Sequence, residues 1–218
     1  MVSRKYSTYL FDLDGTLIDS IDLIMESFRH TFRINLGAGP TPDQERRWRE
    51  GFGTPLRTQL AKFVSVDQVD DLVDGYRTFT HEHHDRLIRP YSGISEALMA
   101  LQRSGVRMSI VTSKTNKLAR RGLQLFDFED YFETVVGMDD VSEHKPHPAP
   151  VIEALSRMSV EASNVVFVGD SPHDICAGRD AGVGTAAVVW GPFKKTAFVN
   201  AVPDYWLSKP GELLNLRC

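Results

Sequence analysis

The 218-residue sequence has few cysteines, no long apolar run and no excess of positive charge. Its two cysteines, Cys176 and Cys218, argue against a disulfide framework, and no CxxC motif is present. No apolar run approaches transmembrane length, and the opening residues "MVSRKYSTYLFD" lack the apolar core of a signal peptide. We therefore expect a cytoplasmic protein. The formal net charge of −4 argues against binding to nucleic acid or to a membrane surface.

Short apolar runs alternate with helical patterns over much of the chain. The runs are typical of strands buried on both faces, and they cover residues 9–11, 106–111, 134–136, 165–168 and 185–190. Apolar residues at helical spacing predict helices over 92–104, 116–126 and 148–158. This alternation predicts an α/β fold with a Rossmann-like parallel sheet and crossover helices.

Residues 20–87 interrupt the alternation. They read as helix over 19–34, 41–51, 55–63 and 66–86, with no strand candidate between them. Such a segment is too long for one crossover between strands. We therefore predict an inserted helical domain over 20–87, and a core domain made of residues 1–19 and 88–218.

Polar side chains follow the predicted strands. They are Asp12 and Asp14 after the first strand, Thr112 and Ser113 at the end of the second, Asp139, Asp140 and Lys145 after the third, and Asp170 and Asp174 after the fourth. In an open α/β sheet, ligands bind outside the carboxyl ends of the strands. We therefore expect these residues to converge on one crevice.

Several carboxylates in one crevice need a counter-charge, and a single lysine does not suffice. A hard divalent cation with oxygen ligands fits, and Mg²⁺ binds to a few carboxylates while it keeps waters. Lys145 adds a fixed positive charge, Thr112 adds a hydroxyl donor, and the loops add backbone N–H groups. This combination predicts a site for a phosphoryl group.

The spacing of the first two carboxylates suggests a division of labour. Asp12, fixed at the strand end, is the candidate nucleophile, which would form an aspartyl-phosphate. Asp14, two residues further in a loop, is the candidate that protonates the leaving group and then activates water. Gly15 would let the chain turn sharply there. Asp174 has a second interpretation, because Ser171, Pro172 and Asp174 together form a helix start with a capping box.

Four segments, "DLDGTLIDS", "IVTSK", "HKPHP" and "GDSPHDICAGRDAG", resemble in order the four motifs of the haloacid dehalogenase (HAD) phosphatase superfamily. The resemblance covers nearly the whole chain and implies a HAD core with an inserted helical cap of the C1 type. It implies that Asp12 is the nucleophile, that Asp14 is the acid and base, and that Thr112 and Lys145 bind the phosphoryl group. It also implies that Asp12, the backbone carbonyl of Asp14 and Asp170 bind Mg²⁺, with Asp174 binding it directly or through water.

Within the superfamily, the chain looks most like the branch of phosphoglycolate phosphatases and the bacterial HAD-type pyrophosphatase. The stretch "YRTFTHEHHDRLIRPYSGI" is similar to the pyrophosphatase in particular, so inorganic pyrophosphate is the first expected substrate and 2-phosphoglycolate the second. Asp14 favours phosphate chemistry, since the dehalogenase branch lacks this second aspartate.

The predicted cap contains a candidate substrate loop, "EGFGTPLR". Gly53 lies at a break in the helical pattern, and Arg57 could reach an anionic leaving group. Ser113 in the core is a further candidate for substrate binding. We expect a small phosphorylated substrate and a monomer or homodimer. Three alternatives stay open: a sugar phosphomutase, a phospho-accepting signalling module, and a binding protein with an inactive site.

Overall fold

The computed structural model describes residues 6–217, so Cys218 lies outside the described part of the chain. In chain order, the elements are β1 (Thr8–Phe11), β2 (Ile18–Asp19), α1 (Ile21–Leu36), α2 (Pro42–Glu50), α3 (Leu56–Leu60), α4 (Val69–Leu87), β3 (Arg89–Pro90), α5 (Ile94–Arg103), β4 (Arg107–Val111), α6 (Asn116–Leu125), β5 (Thr134–Val136), α7 (Ala149–Met158), β6 (Val165–Gly169), α8 (Pro172–Asp180), β7 (Gly184–Val188) and β8 (Tyr205–Leu207). The chain divides into two compact units. One contains the described residues up to Asp19 and from Pro90 onward, and the other is Ser20–Arg89.

The first unit is built on a six-stranded sheet in the order β5-β4-β1-β6-β7-β8. All its neighbouring strands pair in parallel. Tyr9, Leu10 and Phe11 of β1 are fully buried, as expected for a central strand with helices on both faces. From β1 the chain moves outward through β4 and β5, then returns to build β6, β7 and β8 on the other side. The carboxyl end of β1 therefore lies where the strand order reverses, which is the usual position of a ligand site in such sheets.

This sheet confirms the predicted α/β fold with a parallel sheet. The strand predicted over 185–190 ends earlier, at Val188, because the chain bends there. The indole of Trp190 donates a hydrogen bond to the carbonyl oxygen of Thr16 at 2.9 Å. The edge strand β8 was not predicted, because a strand of three residues is too short to show a strand pattern.

The second unit is helical, with α1 and α4 as its long elements. Phe28 of α1 stacks on Trp48 of α2 with ring centroids 4.3 Å apart, and both side chains are buried. A buried hydrogen bond of 2.9 Å joins the hydroxyls of Ser27 and Thr80 between α1 and α4. The helix predicted over 55–63 is shorter, because after Leu60 the backbone continues in tighter turns. Within residues 6–217, no helix is both long and apolar enough to cross a membrane.

Candidate active site

The site begins at the carboxyl end of β1. The backbone N–H of Asp12 donates to the carbonyl oxygen of Val168 in β6 at 2.9 Å, which extends the strand pairing up to the first carboxylate. The Asp12 residue is only 7% exposed. The chain then turns at Gly15, whose φ of +80° lies in the left-handed region. A Cβ atom on Gly15 would lie 2.5 Å from Oδ2 of Asp170, so the turn passes directly against the carboxylate that follows β6.

Lys145 connects two of the predicted carboxylates. Its Nζ atom lies 2.7 Å from Oδ1 of Asp12 and 2.7 Å from Oδ1 of Asp174. It also donates to the carbonyl oxygen of Val111 at 3.2 Å. Only 5% of Lys145 is exposed, so the ammonium group is held by protein oxygens and not by bulk water. This fixed position makes Lys145 a rigid positive charge beside Asp12.

The Asp174 side chain takes part both in the capping box of α8 and in the site. Ser171 and Asp174 form a capping box at the start of α8, with Pro172 at the first helical position. The Ser171 hydroxyl and backbone N–H both donate to Oδ2 of Asp174, at 2.6 Å and 3.0 Å. The other oxygen of this carboxylate binds Lys145. The capping-box hydrogen bonds at the start of α8 therefore fix the orientation of the Asp174 carboxylate in the site. The capping interpretation from the sequence is confirmed, and the same side chain also lies in the acidic cluster.

Asp12, Asp170 and Asp174 form a buried acidic triad. One carboxylate oxygen from each of the three residues lies within 4.8 Å of the others. Burial raises the pKa of Asp12 to about 7, with repulsion from Asp174 adding to it and attraction to Lys145 opposing it. Burial also raises the pKa of Asp170, and repulsion from Asp174 and Asp12 adds to the effect. Burial and mutual repulsion therefore disfavour negative charge on Asp12 and Asp170.

The pKa of Lys145 moves in the direction that keeps it charged. Burial alone would lower this pKa, but attraction to Asp12 and Asp174 outweighs burial and raises it. With one ammonium group among three carboxylates, the remaining negative charge can be balanced by protons on Asp12 and Asp170 or by a cation. All three are oxygen donors, and they lie close enough to bind one ion together, so this donor set fits a hard divalent cation.

The loop after β4 supplies the hydroxyl and a second lysine. Thr112 is 4% exposed, and its Oγ1 accepts a hydrogen bond from the backbone N–H of Lys114 at 3.2 Å. Ser113 is half-buried in the same loop. The Nζ atom of Lys114 lies 2.5 Å from Oδ1 of Asp14. The sequence reasoning missed Lys114, although it is the last residue of the quoted "IVTSK" segment and directly follows two candidate residues.

Not every polar residue that follows a strand contributes to the triad. Asp139 accepts a hydrogen bond from the backbone N–H of Asn116 at 2.8 Å, at the start of α6. Asp140 accepts one from the N–H of Gly137 at 2.7 Å and forms an ion pair of 2.8 Å with Arg157. These two carboxylates hold loops together, so the expectation that they join the acidic crevice is wrong.

The remaining candidates lie in the helical unit. Gly53 is exposed and has a φ of +87°, which is consistent with a break between α2 and α3. Arg57 of α3 is also exposed and forms an ion pair with Asp70 at the start of α4. Within its own unit, the guanidinium is therefore already paired with a carboxylate.

The fold and the site together define an α/β protein with a buried acidic site at the carboxyl end of its central strand. A family model described as haloacid dehalogenase-like hydrolase matches residues 9–188. The chain belongs to this family.

Comparisons with individual proteins extend over nearly the whole chain. The pyrophosphatase PpaX of Bacillus cereus (strain Q1) is 38% identical over 213 residues, which cover 96% of this chain and 95% of the relative. A haloacid dehalogenase-like family hydrolase from Streptococcus pneumoniae superposes with a TM-score of 0.86 at 28% identity and covers 99% of both chains. A predicted phosphoglycolate phosphatase from Haemophilus somnus superposes with a TM-score of 0.86 at 23% identity, covering 96% of this chain and 97% of that one. The last likeness concerns the fold alone.

These matches agree with the sequence-based resemblance to HAD phosphatases. A hydrolase that acts on small phosphorylated compounds is supported, and a buried acidic triad that could bind a divalent metal accompanies it.

Proposed function

We propose that this protein is a Mg²⁺-dependent phosphohydrolase that acts through an aspartyl-phosphate on Asp12. The observation that carries the proposal is the environment of Asp12. Its carboxylate is fixed at the end of a buried strand, bound at 2.7 Å by Lys145, and placed in the acidic triad. A nucleophile needs a fixed position, and the transferred phosphoryl group needs nearby positive charge.

The other residues take roles that follow from their places. Asp14, in the loop two residues beyond the nucleophile, protonates the leaving oxygen and later takes a proton from the attacking water. Thr112 and Lys145 donate hydrogen bonds to the oxygens of the transferred group, and Ser113 contributes from the same loop as Thr112. Each role is the one that the sequence motifs predicted.

The proposed metal is held by Asp12, Asp170, Asp174 and the backbone carbonyl of Asp14. When bound, Mg²⁺ neutralises negative charge on the phosphoryl oxygens and on the acidic triad. The support for this assignment is the donor set, which consists of three buried carboxylates with a single lysine among them. Burial and mutual repulsion raise the pKa values of Asp12 and Asp170, so a bound cation would favour the ionised forms of these carboxylates.

In the proposed reaction, a carboxylate oxygen of Asp12 attacks phosphorus and the bond to the leaving oxygen breaks. Asp14 gives its proton to that leaving oxygen. Water then attacks the phosphorus of the aspartyl-phosphate, Asp14 takes the proton from this water, and orthophosphate leaves with Asp12 restored. With pyrophosphate as substrate, both products are orthophosphate.

We propose inorganic pyrophosphate as the substrate because the Bacillus cereus relative named for this activity is 38% identical over 96% of this chain. 2-Phosphoglycolate is the second candidate, since enzymes acting on it share the four motifs. We assign the helical unit Ser20–Arg89 the role of a cap that excludes water and gives specificity. Gly53 and Arg57 are its proposed substrate contacts.

The test is phosphate release from a panel of compounds with Mg²⁺, each with an EDTA control. The panel contains pyrophosphate, 2-phosphoglycolate, sugar phosphates, nucleotides and p-nitrophenyl phosphate. A strong preference for pyrophosphate supports the full proposal, whereas a preference for 2-phosphoglycolate changes the substrate but keeps the mechanism. Transfer to a second sugar position without net phosphate release would identify a mutase, and no Mg²⁺-dependent release from any compound would overturn the proposal.

A further inference from the structure

An ion pair beside the proposed active site has no role in the scheme above. The Nζ atom of Lys114 lies 2.5 Å from Oδ1 of Asp14, and the two residues are 100 positions apart in the chain. Their side chains are only 15% and 20% exposed. Most surface ion pairs have little effect, because both partners are mobile and well hydrated. This pair differs, because both side chains are largely shielded from solvent.

The backbone around Lys114 is held on both sides. Its N–H donates to the Thr112 hydroxyl oxygen at 3.2 Å, and its carbonyl accepts from the N–H of Met138 at 2.8 Å. The chain at Gly137 approaches so closely that a Cβ atom there would lie 2.9 Å from the carbonyl oxygen of Lys114. The Lys114 side chain therefore extends from a backbone that is fixed in the loop after β4.

The backbone around Asp14 is also fixed. Asp14 forms an isolated β-bridge with Ile18, and the next residue, Gly15, donates its N–H to the Ile18 carbonyl at 2.9 Å. A carboxylate on a fixed backbone can still rotate about two side-chain bonds. A charged hydrogen bond from a second fixed point restricts that rotation.

The two lysines of the site contact different carboxylates. Lys145 binds Asp12 and Asp174, whereas Lys114 binds Asp14. Lys145 is thus placed to act on the nucleophile and the transferred group. Lys114 is placed to act on the group that moves protons.

We propose that Lys114 is a positioning residue that holds the Asp14 carboxylate in its working orientation for proton transfer. This inference rests on the proposed role of Asp14 as acid and base. Proton transfer needs the donor and acceptor atoms within hydrogen-bond reach, so a carboxylate that rotates away loses rate and not substrate affinity. Misplacement by about 1 Å can cost on the order of 100-fold in rate.

The first experiment compares Lys114→Met and Lys114→Arg with the wild type, using the best substrate from the panel. We expect Lys114→Met to lower kcat by roughly 10- to 100-fold and to change KM by less than about 3-fold. Lys114→Arg keeps the charge and should recover part of the lost kcat. Lys117→Met is the matched control, because Lys117 is an exposed lysine in the first turn of α6 and should leave kcat unchanged. A kcat within about 2-fold of wild type for Lys114→Met would overturn the inference.

The second experiment separates positioning from direct substrate binding by a double-mutant cycle in single-turnover assays. If Lys114 acts through Asp14, adding Lys114→Met to Asp14→Asn should cause no further loss. A full additional loss in the double variant would show that Lys114 acts independently of Asp14, and would overturn the positioning role.

The same cycle distinguishes this inference from the proposed function. If Asp14→Asn alone retains the wild-type rate, Asp14 is not the acid and base and the proposed mechanism fails. If Asp14→Asn loses activity while Lys114→Met does not, the mechanism stands and only the role of Lys114 is refuted.

Discussion

Replacing Asp12 by asparagine should stabilise the metal-free protein while it abolishes turnover. In the folded chain, burial raises the pKa of Asp12 from 3.8 to about 7, so ionising it above pH 7 costs on the order of 4 kcal/mol relative to the unfolded chain. The amide side chain of the variant carries no charge and avoids this cost. The pKa of Asp12 already includes its attraction to Lys145, so the loss of this partner in the variant needs no separate allowance. We therefore expect Asp12→Asn to raise the free energy of unfolding at pH 8 by about 2 to 4 kcal/mol.

The sign of the pH dependence follows from the raised pKa. Between pH 4 and pH 7 the folded wild type holds a proton on Asp12 that the unfolded chain releases, so wild-type stability falls as the pH rises through this range. The advantage of the variant should be complete at pH 8 and should shrink steadily towards pH 4.

Urea denaturation in EDTA, at pH 8 and at pH 5, measures this effect together with phosphate release in Mg²⁺. Asp74→Asn is the matched control, because Asp74 is an exposed aspartate of α4 and should change stability by less than about 0.5 kcal/mol. An Asp12→Asn variant less stable than wild type at pH 8 would refute the argument from buried charge. Substantial remaining turnover would remove Asp12 from the role of nucleophile.

Three further predictions concern the same site. Lys145→Met should destabilise the metal-free protein by about 3 to 5 kcal/mol, because it leaves Asp12 and Asp174 buried without their cation. Urea denaturation measures this loss, and a loss under about 1 kcal/mol would contradict the prediction. Mg²⁺ at 100 times its Kd should raise the free energy of unfolding of the wild type by about 2.7 kcal/mol. EDTA should reverse this effect and Asp170→Asn should weaken it. Equal stabilisation of the wild type and the Asp170→Asn variant would place the metal elsewhere. Gly15→Ala should lower both kcat and the midpoint of thermal unfolding. The alanine Cβ would lie 2.5 Å from Oδ2 of Asp170, and a φ of +80° at this position is strained for alanine. An unchanged kcat and an unchanged midpoint would show that the turn is not confined.

The sequence pattern was sufficient for the order of strands and helices in the core. Strands such as Val165–Gly169 are fully buried, so they appear as continuous apolar runs that stand out from the amphipathic helices between them. Short edge elements such as β8 left no such signal, because three residues, two of them only half-buried, carry little pattern. The helix start at Ser171 was predictable because capping chemistry acts between residues only three positions apart.

The candidate site was only partly predictable. Asp12, Thr112, Lys145 and Asp170 follow from the rule that parallel strands bring their carboxyl ends to one edge of the sheet. That rule does not say which side chains turn towards one another. It included Asp139, which instead caps the start of α6, and it gave no reason to pair Lys114 with Asp14.

Local spacing along the chain was enough to establish the α/β class, and it also predicted a helical insertion and an acidic motif. The pairing of each lysine with its carboxylate depends on the folded chain, since Asp12 and Lys145 are 133 residues apart and Asp14 and Lys114 are 100 apart. Burial also belongs to the tertiary structure. The pKa values of Asp12 and Asp170 are raised because packing removes these carboxylates from water, and no single stretch of sequence contains that fact.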